Sequence, residues 1–254
     1  MRPFAVLLLL AIFAVAAVAQ VKKPEPPAVK PPYSKSLQAV VVKTGDWSAV
    51  TGKAQLFERK TPTAEWKRVG EPFAVVVGRS GLAWGDYELT PKGAAKYKKE
   101  GDGNSPAGLF PITASFGIAV KPEAVELPYT RLNEWTECVD DVRSNHYNRI
   151  VNRMQVGAFD WKSSEKMLAV GDRYALGAFV GYNSYPVQRG NGSCIFLHVW
   201  NNATEGTSGC TAMERRDMER LLGWLSPAKT PYLIQLPESE YKAYQKTWKL
   251  PKAK

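Results

Sequence analysis

The sequence predicts a mainly β domain, a sandwich or barrel carrying one principal amphipathic helix near its C-terminal end. Three observations carry this. Short β-prone runs recur along the chain, each bounded by Gly, Pro, Asn or Asp. They follow one another without regular helical segments between them, which argues against alternating β-α units. A single stretch, 213–225, has the period of an amphipathic helix: Met218, Leu221, Leu222 and Leu225 fall at i, i+3, i+4 and i+7.

In chain order, strands are expected over 38–42, 54–59, 73–77, 109–113, 174–182, 193–199 and 232–236. A second, weaker helix is expected over 163–169. Thr211, with Glu214 three residues on, has the form of a capping box, so the principal helix should begin at about Ala212.

The ends differ in composition from this domain. Met1-Arg2-Pro3 is a short basic start, residues 4–18 are apolar, and Ala17-Val18-Ala19 is a small-residue cleavage site. Residues 1–19 therefore read as a secretory signal peptide, too short for a spanning helix. Residues 20–36 are rich in Pro and Lys and read as an extended linker. The domain is expected over 37–237, with 238–254 as a basic C-terminal tail. The mature chain is then exported to the periplasm, envelope or medium, with no stable membrane span.

The formal net charge of +10 favours polyanionic surroundings. The basic residues are scattered and form no nucleic-acid-binding motif. In an exported protein the expected polyanion is the cell wall or a membrane surface. Two histidines and three cysteines, at these spacings, match no zinc pattern, and no metal or cofactor is expected.

The candidate chemistry lies in HVWNNATEGTSGCTAM, residues 198–213. His198 ends the apolar run Cys194-Ile195-Phe196-Leu197, and Cys210 closes a Ser208-Gly209-Cys210 turn. With a helix starting at Ala212, Cys210 would sit at the positive end of the helix dipole, which favours the thiolate. Gly209 would let backbone amides approach a carbonyl oxygen. His198 could accept the thiol proton.

These residues resemble the catalytic segment of the L,D-transpeptidase (YkuD-type, ErfK-like) domain family. IFLHVW…TSGCTAM followed by a helix carries the resemblance, together with EGDGNSPAGLFPI at 100–112. The blocks GRSGLAWG (78–85), CVDDVRSNHYN (138–148) and GYNSYPVQRGNGSCIFLH (181–198) are similar to one exported branch. The chain departs from the family pattern at Ser208, where members commonly carry His, and at Thr211 and Ala212, where an Asn or Arg is frequent. Its gap from His198 to the turn is also short.

The resemblance implies an L,D-transpeptidase-like β fold. Cys210 would be the nucleophile, His198 the general base, and the Val199 carbonyl the group that orients the imidazole. Amides of Ser208, Gly209 and Cys210 would hold the oxyanion. The substrate would be a tetrapeptide stem of peptidoglycan, with D-alanine leaving and an amine resolving the thioester; a wall-anchored protein is a further expected acceptor or substrate. An L,D-carboxypeptidase or amidase on the same scaffold stays open, as does a wall-binding protein whose Cys210 is only structural.

Three cysteines in an oxidising compartment fit one disulfide and one free thiol. If Cys210 stays reduced, Cys138 pairs with Cys194. Asp140-Asp141 and Asn145-His146-Tyr147-Asn148 form a dense polar block, with solvated turns as the simplest expectation. On the functional alternative, Asp141 and His146 wall the cleft, with His146 standing in for the histidine absent at Ser208. Tyr182 and Asn183 are a turn or a cleft-lining pair by the same reasoning. Trp200, two residues beyond His198, could shield the base from water.

Overall fold

The computed structural model describes residues 33–85, 89–90, 94 and 96–252. The signal-peptide stretch 1–19 and the linker up to residue 32 lie outside the described residues. The first strands form a meander: β1 (Gln38–Thr44), β2 (Thr51–Glu58) and β3 (Lys67–Val76), each antiparallel to the one before. Next come β4 (Leu82–Trp84), the long β5 (Ser105–Gly117) and β6 (Tyr129–Arg131). A separate small sheet follows, built from β7 (Thr136–Val139), β8 (Ile150–Asn152) and β9 (Ser164–Lys166). The chain then re-enters the main sheet through β10 (Leu176–Val180), β11 (Phe196–Val199), β12 (Thr211–Met213) and, after helix α1 (Arg215–Trp224), β13 (Tyr232–Pro237).

The main sheet runs β10-β11-β12-β3-β2-β1-β13-β5-β4, and β10 also pairs with β5. That last pairing closes the path into a barrel and leaves its strands without a free edge along the closure. The mainly β class expected from the turn-punctuated runs is the class observed. β1 is buried at Ala39, Val40, Val41 and Val42, because both of its faces are covered. That explains why its sequence reads as an apolar run rather than an alternation.

Helix α1 packs its predicted stripe inward: Met218, Leu221, Leu222 and Leu225 are all buried. Its start differs from the expectation. Residues Thr211–Met213 are a strand, with Ala212 and Met213 paired to Val76 and Val75 of β3. The Thr211 hydroxyl meets the Gln235 side-chain oxygen 2.6 Å away and caps nothing. Glu214 holds the position before the helix and makes no capping hydrogen bond. Local capping chemistry lost here to a buried tertiary hydrogen bond.

Three more expectations are corrected. The weaker helix over 163–169 is split: Ser164–Lys166 pairs with β7 as β9, with Glu165 opposite Cys138. A 3₁₀ segment, Met167–Tyr174, follows it. The linker ends earlier than residue 36, since Tyr33 and Ser36 are buried and Tyr33 packs edge-on against Tyr232. Finally, the segment after Pro237 is no free tail. It forms helix α2 (Glu238–Tyr244) and buries Tyr241, Tyr244, Trp248 and Leu250, with Tyr244 and Trp248 stacked at 4.8 Å beside Trp84. Its lysines set the composition, while its aromatics set the structure. Among the described residues, no helix is long and apolar enough to cross a membrane.

Candidate active site

Strands β11 and β12 lie side by side and parallel, with Leu197 opposite Thr211 and His198 opposite Ala212. The loop between them returns the chain so that Cys210 arrives beside Phe196. The Phe196 N–H donates to the Cys210 sulfur at 3.3 Å, and the thiol faces the Cys194 carbonyl at 3.5 Å. The Cys210 carbonyl accepts from two hydroxyls, Ser105 Oγ at 2.8 Å and Thr207 Oγ1 at 2.6 Å. Ser105 also accepts from the Gly78 N–H. The cysteine backbone is thus pinned from two sides, which fixes where its side chain projects.

His198 is buried, and its Nδ1 lies 2.8 Å from the Val199 carbonyl oxygen. A carbonyl can only accept, so Nδ1 carries the proton and Nε2 of the neutral ring keeps its lone pair. The Tyr174 ring packs edge-on against the imidazole at 5.3 Å. His198 and Cys210 line one cavity of about 230 Å³, together with Glu165, Arg173, Tyr174, Trp200, Glu205 and Ser208.

The electrostatics overturn one expectation. Because β12 separates Cys210 from α1, no helix mouth faces the sulfur. Burial pushes the thiol up to about 12, helped by the charge of Glu165; the Phe196 N–H and the Tyr174 hydroxyl oppose this. Burial likewise pulls His198 down to about 4, against the Val199 carbonyl, which favours the charged ring. The resting pair is therefore a neutral thiol and a neutral imidazole. Among the described residues no hydrogen bond joins the two, and the thiol's own acceptor is the Cys194 carbonyl.

Other residues singled out in the sequence are placed as follows. Cys138 and Cys194 form a disulfide that ties β7 to the approach to β11, leaving Cys210 as the free cysteine. Gly209 adopts φ +152°, where a side chain would press on the Asn104 carbonyl oxygen, and its N–H is already donated to Thr207 Oγ1 at 3.0 Å. Ser208 receives a hydrogen bond from Arg79 at 3.1 Å. Trp200 is on the cavity wall.

Asp141, His146, Tyr182 and Asn183 lie outside the cavity lining. Asp141 accepts from the amides of Arg143 and Lys162, closing a turn. His146 packs its ring on Trp161 at 5.3 Å and does not occupy the place of the histidine absent at Ser208. Tyr182 is buried against Phe110, and Asn183 Nδ2 donates to the carbonyls of Gln188 and Gly192. Asn148 links this block to the site: it donates to the Tyr182 and Asn183 carbonyls and accepts from the Cys194 N–H. These residues brace the loop that leads into β11.

Sequence reasoning missed Glu165, Tyr174 and Arg173. Tyr174 stood at the edge of an expected strand and Glu165 inside an expected helix. None of the three carries a local signal: Glu165 is placed by the pairing of β9 with β7, and Arg173 and Tyr174 by the 3₁₀ segment that follows it.

A buried cysteine just before β12 and a carbonyl-anchored histidine on β11, lining one cavity, are the parts that cysteine-based acyl transfer requires. The family model of the YkuD L,D-transpeptidase catalytic domain matches residues 48–234, and the chain belongs to that family. Members are cysteine-dependent enzymes acting on peptidoglycan stem peptides. None of the curated proteins compared with the chain matches it.

Proposed function

We propose that the chain is an exported peptidoglycan L,D-transpeptidase in which Cys210 attacks a tetrapeptide stem. The observation that carries the reading is the shared cavity of Cys210 and a His198 ring held at Nδ1 by Val199. Attack occurs at the carbonyl of the residue before the terminal D-alanine. The Cys210 proton passes to His198 Nε2 as the carbon–sulfur bond forms, so no free thiolate is needed beforehand. Charge collects on the carbonyl oxygen, for which the Ser208 and Cys210 amides are the candidate donors. The imidazolium then protonates the departing amine, D-alanine leaves, and a thioester remains. An amine from a neighbouring stem, or from a wall-anchored protein, resolves it.

Water as acceptor would make the same site an L,D-carboxypeptidase. Incubating the mature protein with a disaccharide-tetrapeptide and weighing the products separates the two. Crosslinked dimers support transfer, trimmed tripeptides support hydrolysis, and unchanged substrate contradicts both.

A further inference from the structure

The cavity that Cys210 lines also holds a pair of titratable side chains for which the reaction above has no use. Tyr174, at the end of the 3₁₀ segment, has its hydroxyl 2.7 Å from Glu165 Oε2 on β9. Both line the cavity with Cys210. The phenol thus shares a cavity with the sulfur and favours its ionised form. It has one proton to give, and in this structure gives it to the carboxyl group.

Resting on the reading of Cys210 as nucleophile, we infer that Tyr174 is a direct hydrogen-bond donor to the sulfur, and that Glu165 is a positioning residue whose protonation decides where the Tyr174 proton points. With Glu165 ionised, the phenol donates to the carboxylate, and the sulfur loses a donor while facing a negative charge. With Glu165 protonated, its O–H donates to the phenol oxygen, and the phenol proton turns to the sulfur. No proton is gained or lost by the phenol in either arrangement.

The neighbourhood permits this titration near neutral pH. Burial raises Glu165 to about 7; the Tyr174 hydrogen bond and Arg173 oppose the rise, while Asp140 and Glu100 add to it. The other charged or titratable groups around the sulfur are His198 on β11, Arg173 on the 3₁₀ segment, Glu205 in the loop before β12, and Lys98, which lowers the thiol. Tyr174 itself is held far above its ordinary range by burial, by the charges of Cys210 and Glu165, and by its hydrogen bond to Glu165. It stays a donor throughout.

The test is alkylation of Cys210 by iodoacetamide in the mature protein between pH 6 and pH 9, followed by intact mass. The other two cysteines are tied in a disulfide, so one adduct reports one sulfur. Relative to the parent, Glu165→Gln should react equally at pH 6 and about tenfold faster at pH 9, since one pKa unit is a tenfold change in thiolate. Tyr174→Phe should react about tenfold slower at pH 6 and nearly equally at pH 9. Ratios that do not change with pH, or a Glu165→Gln variant slower at pH 9, overturn the inference. Each variant carries the test alone if the other fails to fold. The assay uses no peptidoglycan, so these profiles without any transpeptidation product would count against the acyl-transfer reading and not against the relay.

Discussion

The backbone N–H of Phe196 points at the sulfur of Cys210 from 3.3 Å away, across the joint between two parallel strands. That contact is made by strand register, and it replaces the helix mouth that the sequence suggests. The proposed nucleophile is accordingly a buried thiol that ionises only when a base takes its proton.

Replacing Cys210 with Ala should abolish peptidoglycan turnover while leaving the fold intact. The side chain is small and its contacts are to backbone groups, so the melting temperature should shift by no more than about 4 °C. A variant that unfolds, from a parent that shows no activity, would instead mark Cys210 as structural.

Replacing His198 with Gln should lower kcat by about 10²- to 10⁴-fold, the usual loss on removing a general base. KM should change little, because the ring is buried and offers little surface for binding. An unchanged kcat would remove His198 from the reaction.

Stability against pH should reveal two titratable groups of the cavity, the buried His198 and the half-buried Glu165. His198 titrates at about 4 in the folded state against an ordinary 6.5, so the unfolded chain takes up its proton first. Its contribution is complete above pH 6.5 and is lost as pH falls through 4, about 3 kcal/mol in all. Glu165 runs the other way. Raised to about 7 from 4.5, it favours the folded state in acid, and that contribution is lost as pH rises through 7. The two oppose each other between pH 4.5 and 6.5, so urea denaturation of the parent should vary little there. Glu165→Gln should lose stability on acidification through the same window; a flat profile for that variant would contradict the assignment.

Residues 238–250 should prove essential to folding. Trp248→Ala removes a buried ring stacked on Tyr244 and should cost about 3–5 kcal/mol. A chain ending at Pro237 should be recovered insoluble or unfolded by circular dichroism, whereas a free tail could be removed without effect.

Breaking the disulfide by Cys138→Ser and Cys194→Ser should lower stability by up to about 4 kcal/mol, given a separation of 56 residues. Activity should fall further than stability alone explains, because the Cys194 carbonyl is the acceptor facing the Cys210 thiol. Equal activity at a temperature where both proteins are folded would show that the bridge does not shape the site.

The sequence made the longer strands and the α1 stripe legible because both are written in the local pattern of apolar residues. β1 and β13 are apolar runs, and Met218, Leu221, Leu222 and Leu225 repeat at helical spacing. Cys210 and His198 were legible as a pair because scarce residue types flank one short loop. What escaped depends on partners distant in the chain. Thr211 pairs its hydroxyl with Gln235 rather than capping a helix, and β9 exists because Glu165 lies opposite Cys138. The segment after Pro237 looked like a tail because lysine dominates its composition, although the buried aromatics decide its fate.

The most direct measurement is the intact mass of the mature protein mixed with a disaccharide-tetrapeptide and quenched within seconds. The account predicts a covalent adduct equal to the donor less D-alanine, carried on Cys210 and absent from Cys210→Ala. Product formation without any such adduct, or an adduct that persists in Cys210→Ala, would contradict it.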